Sequence, residues 1–394
     1  MITDMICNIC NSSSLNLVLS LPNYPLNTVY LKNASYEDKY RPRNMNLYCC
    51  NNCSHFQSFS EMSISELYDN DYNYHTQNSG VQSRIVFFIS QIETIKTINF
   101  NRVIDIGCFD LSLLKALKLV ISANCFIGID PSIPKGAMDN KEGIICFKEY
   151  CDHVNLPHQT SDLPDLIISD QTFEHIPGIN KSLNSIISQV NNSSLYAVCV
   201  PSLEVLIEKL NFHNIIHEHV NYFSLHTLTR LFDNYKLSLN AYCIEYTSTC
   251  GFLFGIYSKD KNTNIKIPFA NVYSKDYFLM RYYIFKDLLA KSNKIISQIK
   301  GEVIYGFGAS DITSNLAYFM NSDFSFLTNI FDDTDYKQRT YFPFLKPEII
   351  SPIETKKIAG SNCLITAPQA SRYLFKRLND FSFKKIINPI GLIS

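Results

Sequence analysis

"RVIDIGCFDLSLLKALKLV", residues 102–120, decides the fold of this chain. It reads as a short β-branched strand, Val103 to Ile106, followed by a turn at Gly107 and an amphipathic helix. Further strands follow in "CFIGIDPS" (125–132), in "PDLIISDQTFEHIPGINKSLNSII" (164–187), which also contains a helix, and in "SSLYAVCVPSL" (193–203). Strands that alternate with helices predict an α/β domain with a parallel, doubly wound sheet, which binds ligands at the carboxyl ends of its strands.

The turn at Gly107 predicts a nucleoside site. Asp130 ends the next strand, where a carboxylate can accept hydrogen bonds from two ribose hydroxyls. NAD and S-adenosylmethionine both fit this geometry, but the pyrophosphate of NAD prefers a full G-x-G-x-x-G turn. Here one glycine is followed by Asp110, an acid that suits the cationic sulfonium and amino acid portion of S-adenosylmethionine. We predict S-adenosylmethionine, held by Asp105, Gly107, Asp110 and Asp130, and a purely structural β-turn-α is the alternative.

Composition limits the classes of partner and the number of domains. The chain has 394 residues, 46% of them hydrophobic, which predicts two or three domains. Its 35 basic and 36 acidic side chains nearly balance, which predicts neither nucleic acid nor an anionic membrane as a partner. The amino-terminal "MITDMICNIC" has no apolar signal region, so we predict a cytoplasmic protein. The oligomeric state is not indicated.

Two C-x-x-C pairs near the amino terminus predict a structural zinc site. Cys7 and Cys10 form one pair, and Cys50 and Cys53 form the other in "LYCCNNCSHFQ" (47–57). Four thiolates on two tight turns can bind zinc tetrahedrally. Cys49 and His55 are competing ligands, and four unrelated core cysteines are the other interpretation.

"NIIHEHV", residues 214–220, is the candidate acid/base segment. It places His217, Glu218 and His219 in succession before "NYFSLHTLTRLF" (221–232), which predicts a helix. A polar loop is one interpretation and an acid/base site is the other. A metal site using His217 and His219 has no evident third ligand in the sequence.

Several segments together resemble the three-domain nucleotide-sugar C-methyltransferases, and the resemblance covers nearly the whole chain. An amino-terminal four-cysteine module is matched by "YPLNTVYL" (24–31) and "CNNCSHFQ" (50–57), and a cofactor loop by "DIGCFDLSLLKAL" (105–117). "FEHIPGI" (173–179) supplies a histidine, and the family's Tyr-x-Glu-His corresponds to Ile216–His219. In the third domain, "VIYGFGASDITSNLAYFM" (303–320) and "DDTDYKQRTYFPF" (332–344) match a Gly-x-Gly-Ala turn and a Tyr-Lys-Gln phrase.

The resemblance implies an α/β fold with three parts. These are a zinc-binding module with its linker (1–75), a Rossmann-like methyltransferase core (76–245) and a second, carboxyl-terminal α/β domain (246–394) that helps to bind the sugar nucleotide. It also implies methylation at carbon 3 of a nucleoside-diphosphate 4-keto deoxysugar, in polysaccharide or natural-product biosynthesis.

The same resemblance implies roles for individual residues. His219 would remove the carbon 3 proton to form an enolate, Glu218 would orient it or contact the sugar, and His175 would lie near the keto oxygen. Four further residues are expected to contact the substrate: Tyr72, Tyr74, His217 and Tyr222.

The chain departs from the family at several of these positions. Ile216 replaces the tyrosine of Tyr-x-Glu-His, and Phe109 and Leu111 replace the asparagine and glycine of the cofactor loop. A relative with a changed substrate or reaction therefore stays open: an O- or N-methyltransferase, or a sugar-nucleotide isomerase, epimerase or binding protein that no longer uses S-adenosylmethionine.

Overall fold

The described residues form three β-sheets in the computed structural model of the protein. The structure describes residues 5–27, 29–33, 38–62, 66, 79–138, 143–158, 160–247, 251–260, 273–354 and 358–391. Strands and helices are numbered below in chain order. Within these residues, no helix is both long and apolar enough to cross a bilayer.

The amino-terminal sheet contains three strands of the module and one from a distant segment. Strands β1 (Leu15–Tyr24), β2 (Arg43–Cys50) and β3 (Phe56–Ser60) form an antiparallel meander. The short strand β9 (Asn221–Tyr222) completes the sheet, with Phe56 opposite Tyr222. The module and the "NIIHEHV" segment are therefore physically joined.

The central sheet has seven strands in the order β10-β11-β8-β7-β4-β5-β6. They are β4 (Asn99–Ile106), β5 (Ser122–Ile129), β6 (Ile145–Phe147), β7 (Leu166–Asp170), β8 (Leu195–Pro201), β10 (Ser238–Glu245) and β11 (Phe252–Ser258). Strand β4 pairs in parallel with both β5 and β7, so the strand order reverses there and a crevice opens at the carboxyl ends. The predicted α/β fold is confirmed.

The edge of this sheet differs from the prediction. Strand β11 runs antiparallel to both β8 and β10, so the sheet is mixed rather than fully parallel. The predicted core end at residue 245 falls inside this hairpin, and the sheet extends to Ser258. The resemblance places residues 251–258 at the entry to the third domain, and their apolar pattern alone does not reveal which sheet they join.

Helices cover the central sheet and form much of the third domain. They are α1 (Ser79–Gln91), α2 (Ser112–Lys118), α3 (Lys135–Met138), α4 (Ile179–Ile187), α5 (Leu203–Glu208), α6 (Leu225–Asp233), α7 (Lys275–Gln298), α8 (Thr313–Phe319) and α9 (Ser371–Leu378). The predicted helix after "NIIHEHV" is α6. It begins at a capping box in which Ser224 and Thr227 satisfy each other's backbone N–H groups.

The third domain has its own six-stranded sheet in the order β14-β15-β13-β12-β16-β17. Its strands are β12 (Ile304–Phe307), β13 (Ile330–Phe331), β14 (Thr340–Tyr341), β15 (Glu348–Ile350), β16 (Asn362–Ile365) and β17 (Lys385–Ile387). Strand β12 pairs in parallel with β13 and β16, so this domain is also Rossmann-like. One apolar core joins it to the module: Phe278 of α7 stacks on Phe56 with 4.8 Å between ring centroids.

Candidate active site

Gly107 ends β4 in a conformation that only glycine fits. Its φ is +85°, and a Cβ atom there would lie 1.9 Å from Oγ1 of Thr172. Its N–H donates to the carbonyl of Ile129 over 2.8 Å, which fixes the turn against the end of β5. The turn therefore places backbone without a side chain at the crevice, as the sequence predicts for a cofactor loop.

Phe109 and Leu111, which depart from the family's loop, both adopt left-handed backbone conformations. Their φ angles are 39° and 68°. Glycine and asparagine tolerate this region, whereas an ordinary L-residue there is strained. The loop thus keeps the backbone path that suits asparagine and glycine while carrying two bulky side chains, and Leu111 is fully buried beneath it.

Asp130 shapes the loop as well as the proposed ribose site. Its Oδ2 accepts a hydrogen bond from the Phe109 N–H over 3.1 Å, and its Oδ1 accepts from the Ser132 N–H over 2.6 Å. Asp110 accepts from the Ser112 N–H over 3.0 Å and lines the same cleft. The structure therefore brings the predicted Asp110, Asp130 and Gly107 to one crevice.

Asp105 is a buried carboxyl at the end of β4. It is 1% exposed, and neither oxygen has a hydrogen-bond partner in the described part of the chain. Burial, followed by the charges of Asp170 and Asp130, raises its pKa well above the ordinary value. Nearby, Asp170 accepts from Arg84 over 2.6 Å, an ion pair beside the cofactor loop that sequence reasoning did not identify.

Contacts from the amino-terminal module and from the third domain hold the "NIIHEHV" segment. The Tyr24 hydroxyl donates to the carbonyl of Ile215 over 2.7 Å, and the Asn315 amide donates to the same carbonyl over 3.0 Å. The Ser58 hydroxyl donates to the carbonyl of His219 over 2.7 Å. A polar loop held in this way is rigid enough to position side chains.

His175 and His219 form a pair of neutral imidazoles in the cleft. Their ring centroids are 4.9 Å apart, and both residues line the cleft. Burial lowers the pKa of His175 to about 4 and that of His219 well below the usual value. Nδ1 of His175 lies 2.9 Å from the carbonyl of Glu218 and donates to it, which leaves Nε2 as the lone-pair nitrogen.

Glu174 lies against this pair, and sequence reasoning missed it. Its Oε1 is 3.7 Å from Nε2 of His175, and the side chain is almost completely buried. Neither carboxyl oxygen has a hydrogen-bond partner among the residues described. Burial raises the pKa of Glu174 to about 8. Its "FEH" position next to a predicted site histidine was the available signal.

His217 points away from the cleft. Its Nδ1 lies 2.8 Å from the Ser60 hydroxyl, and its Nε2 lies 3.2 Å from the Tyr24 carbonyl. With both ring nitrogens in protein contacts and the side chain fully buried, His217 is not placed to contact a sugar in the cleft. The reason is local: residues 217–218 form a turn, so neighbouring side chains diverge.

Glu218 and Tyr222 occupy different positions around the same loop. Glu218 is buried outside the cleft lining, and burial raises its pKa to about 7. Tyr222 lines the cleft, and its hydroxyl accepts from the N–H of Ile216 over 3.1 Å. Tyr72 and Tyr74 lie outside the described residues.

The cleft has a volume of about 1270 Å³ and lies between the three parts of the chain. Asn27 of the module and Asp311, Lys337 and Gln369 of the third domain line it opposite the cofactor loop. The Tyr30 hydroxyl donates a hydrogen bond to Oδ1 of Asp311 over 2.6 Å. A volume of this size holds a cofactor together with a second small molecule.

The four predicted zinc-ligating cysteines form one cluster. The sulfurs of Cys7, Cys10, Cys50 and Cys53 all lie within 4.8 Å of one another. The Cys7–Cys53 and Cys10–Cys50 sulfur distances are 3.5 Å and 3.6 Å, which suits a tetrahedral ion with bonds of about 2.3 Å. Backbone N–H groups of Ile9 and Asn52 point at two of these sulfurs, as in a zinc knuckle.

Cys49 and His55, the two alternative zinc ligands, have other partners. The Cys49 thiol contacts the carbonyl of Cys50 and packs in the apolar core shared with the third domain, where burial raises its pKa to about 12. His55 is buried with its Nε2 3.2 Å from Oδ1 of Asn221. The residues present therefore fit zinc bound by the four C-x-x-C cysteines.

Comparison with known proteins identifies the central part of the chain. A family profile described as "Methyltransferase domain" matches residues 80–241. The C-methyltransferase NovU of Streptomyces niveus is 31% identical over 116 residues, which are 28% of this chain and 27% of NovU. The match thus spans about a quarter of that relative's length.

Solved structures with a similar chain path include two methyltransferases. The N-methyltransferase NodS from Bradyrhizobium japonicum WM9, in complex with S-adenosylhomocysteine, has a TM-score of 0.37 and 10% identity, covering 49% of this chain and 94% of NodS. The 1,6-didemethyltoxoflavin-N1-methyltransferase of Burkholderia thailandensis has a TM-score of 0.36 and 8% identity, covering 47% and 80%. The fold is assigned from the strand order, and the profile match shows that residues 80–241 are similar to a methyltransferase domain.

Proposed function

We propose that the whole protein is a C-methyltransferase that transfers the methyl group of S-adenosylmethionine to carbon 3 of a nucleoside-diphosphate 4-keto deoxysugar. The proposal rests above all on the pair of neutral imidazoles, His175 and His219, in the cleft beside the cofactor loop. Methylation at carbon requires a base that removes a proton, and an O- or N-methyltransferase needs no such pair when its acceptor is already nucleophilic. The match to a C-methyltransferase supports the same choice.

In this reaction the 4-keto group acidifies the proton on carbon 3. His219 takes the proton, the resulting enolate carbon attacks the sulfonium methyl group, and S-adenosylhomocysteine leaves. Burial keeps His219 unprotonated before reaction, and the negative charge that develops on the enolate favours the imidazolium as the proton moves. The base is therefore free to act at neutral pH.

The oxygen of the enolate needs a hydrogen-bond donor. His175 already donates its Nδ1–H to the carbonyl of Glu218, so a neutral His175 offers a lone pair to the cleft rather than a proton. Asn214 lines the cleft and has a buried amide nitrogen with no partner in the described chain, so we assign the donor role to Asn214. Glu218 acts through its carbonyl, which orients His175.

The cofactor occupies the crevice at Gly107, with Asp130 as the ribose acceptor and Asp110 near its cationic amino acid portion. The sugar nucleotide lies between the His175–His219 pair and the third domain, where Lys337 provides a cation for a phosphate. Zinc bound by the four cysteines has a structural role, because a closed tetrahedral thiolate site leaves no position for substrate.

The test uses His219→Asn in the 394-residue chain, with a 4-keto sugar nucleotide and S-adenosylmethionine. Methyl transfer should fall about a hundredfold or more, while calorimetric binding of S-adenosylmethionine stays unchanged. His226→Asn, in α6 and away from the cleft, is the matched control and should retain parental activity. If the His219 variant methylates at the parental rate, His219 is not the base.

A second candidate is a sugar-nucleotide enzyme that enolises its substrate without a methyl donor. The strained backbone at Phe109 and Leu111 favours it, since both lie in the cofactor loop. Binding of neither S-adenosylmethionine nor S-adenosylhomocysteine, combined with deuterium exchange at carbon 3 of the sugar, would establish this reading in place of the first.

A further inference from the structure

Glu174, His175 and His219 converge on one point of the cleft. One oxygen of Glu174 and one ring nitrogen from each histidine all lie within 4.8 Å of one another. All three residues line the cleft, so a ligand at their centre would be open to substrate and solvent. Two imidazoles and one carboxylate form the ligand set that proteins use for borderline transition-metal ions.

The Glu174 carboxyl supplies the strongest reason to expect a cation. Its side chain is 2% exposed, and within the described residues neither of its oxygens accepts a hydrogen bond. A buried carboxyl without partners is costly unless a proton or a cation compensates it. A divalent ion next to His175 would satisfy both carboxyl oxygens of Glu174.

The orientation of His175 is that of a metal ligand. Ligating histidines usually donate their second ring N–H to a carbonyl or carboxylate, which fixes the tautomer and directs the other nitrogen at the metal. His175 donates from Nδ1 to the carbonyl of Glu218, and its Nε2 lies 3.7 Å from Glu174. The ring nitrogens of His219 have no hydrogen bond from the described residues, so this imidazole can act as a ligand.

We propose that Glu174, His175 and His219 form a second metal site, separate from the four-cysteine cluster, for a divalent ion of the Zn²⁺ class. Ligands bound at about 2.1 Å lie roughly 3 to 3.5 Å from each other, so the three ligand atoms approach by about 1 Å on binding. Occupation engages the lone pair of His219 and thereby blocks its use as a base. This inhibitory consequence rests on the proposed function, whereas metal binding does not.

The experiment is a titration of Co²⁺ into the 394-residue protein, which is purified with zinc in its cysteine cluster. Calorimetry and visible absorption follow the binding. One equivalent of Co²⁺ should bind and give d–d bands without thiolate charge-transfer bands, because the ligands are nitrogen and oxygen. Glu174→Gln and His219→Asn should each weaken this binding by about tenfold or more. His158→Asn, an exposed histidine away from the cleft, is the control and should bind as the parent does.

Absence of the extra equivalent, or equal binding by the parent and both cleft variants, would overturn the proposal. If Glu174→Gln does not fold, judged by circular dichroism, His219→Asn and His175→Asn decide the result. A separate arm adds Zn²⁺ to methyl-transfer assays of the parent and of His158→Asn, where reversible inhibition is expected in both. Co²⁺ binding by a protein that shows no methyl transfer even before Co²⁺ is added would reject the proposed function and leave the metal site standing.

Discussion

The hydroxyl of Ser58 donates a hydrogen bond to the main-chain carbonyl of His219 over 2.7 Å. The backbone continues the contact, since the Ser58 N–H donates to the carbonyl of Val220 over 3.1 Å and β3 pairs with β9. A strand that begins just after a cysteine knuckle thus supports the loop that carries the candidate base. The amino-terminal module is part of the wall of the active site rather than an appendage.

Ser58→Ala tests this support. The variant loses one partly buried hydrogen bond, so we expect the free energy of unfolding to fall by about 1 kcal/mol. Because the loop carrying His219 loosens, methyl transfer should fall several-fold while the affinity for S-adenosylmethionine is unchanged. Chemical denaturation and turnover assays measure the two effects. Ser90→Ala, at an exposed helical serine, should change neither, and equal losses in both variants would contradict the support role.

Two adjacent cysteines provide a matched test of the zinc site. Cys50→Ser should reduce the bound zinc from about one per chain to a small fraction, because it removes one of four thiolates. Cys49→Ser should retain the zinc, since this thiol lies in another apolar core. Elemental analysis of protein purified without added zinc gives the answer. If only the Cys49 variant lost zinc, Cys49 would be the zinc ligand and Cys50 the core thiol.

Glu174 should make stability depend on pH in a defined window. Burial raises the pKa of Glu174 from 4.5 to about 8, so between these values the folded state holds a proton that the unfolded state has lost. Stability contributed by this proton is therefore lost as pH rises through the window. Glu174→Gln has no such proton to lose, and its melting temperature relative to the parent should rise from pH 5 to pH 8.

Thermal unfolding across that pH range measures the difference between the two proteins. The substitution Glu93→Gln, at an exposed position, is the control, and its melting temperature should change with pH as that of the parent does. A constant offset between the Glu174 variant and the parent would show that the carboxyl is already ionised in the folded protein.

Phe109→Asn should relieve strain in the cofactor loop. Asparagine tolerates the left-handed backbone that Phe109 adopts, so we expect the free energy of unfolding to increase by about 1 kcal/mol and binding of S-adenosylmethionine to tighten. Calorimetry and thermal unfolding test both effects. Phe375→Asn is the control: Phe375 is partly exposed and has ordinary helical geometry in α9. This variant should gain neither stability nor affinity for S-adenosylmethionine. A destabilised Phe109 variant would mean that the ring's contacts outweigh the strain.

Much of the fold was predictable because its signals are local. The strand and turn at Val103 to Gly107 and the helix predicted in residues 221–232 are encoded by neighbouring residues, and the structure confirms both. The four cysteines were predictable for the same reason, since each C-x-x-C is its own turn. In the candidate site, His175 and His219 were identified from the sequence, and the structure places them side by side.

The rest depends on contacts between distant segments. Nothing near Phe56 indicates that β3 pairs with β9, and nothing near Phe252 indicates that it joins the central sheet. The orientation of His217 follows from a turn and from two partners, Ser60 and Tyr24, that lie far away in sequence. Glu174 was missed because its position beside His175 in "FEH" does not reveal the burial that distinguishes it from a surface glutamate.

The pairing of β3 with β9 has a consequence for synthesis of the chain. On the ribosome, β1 to β3 emerge early, yet the edge of β3 stays open until residues 221–222 have been made. During that interval an unpaired strand edge next to four reactive thiols is exposed, a combination prone to aggregation and oxidation. Early capture of metal by the cysteines would protect the nascent chain, so the availability of zinc during translation should govern the yield of active protein.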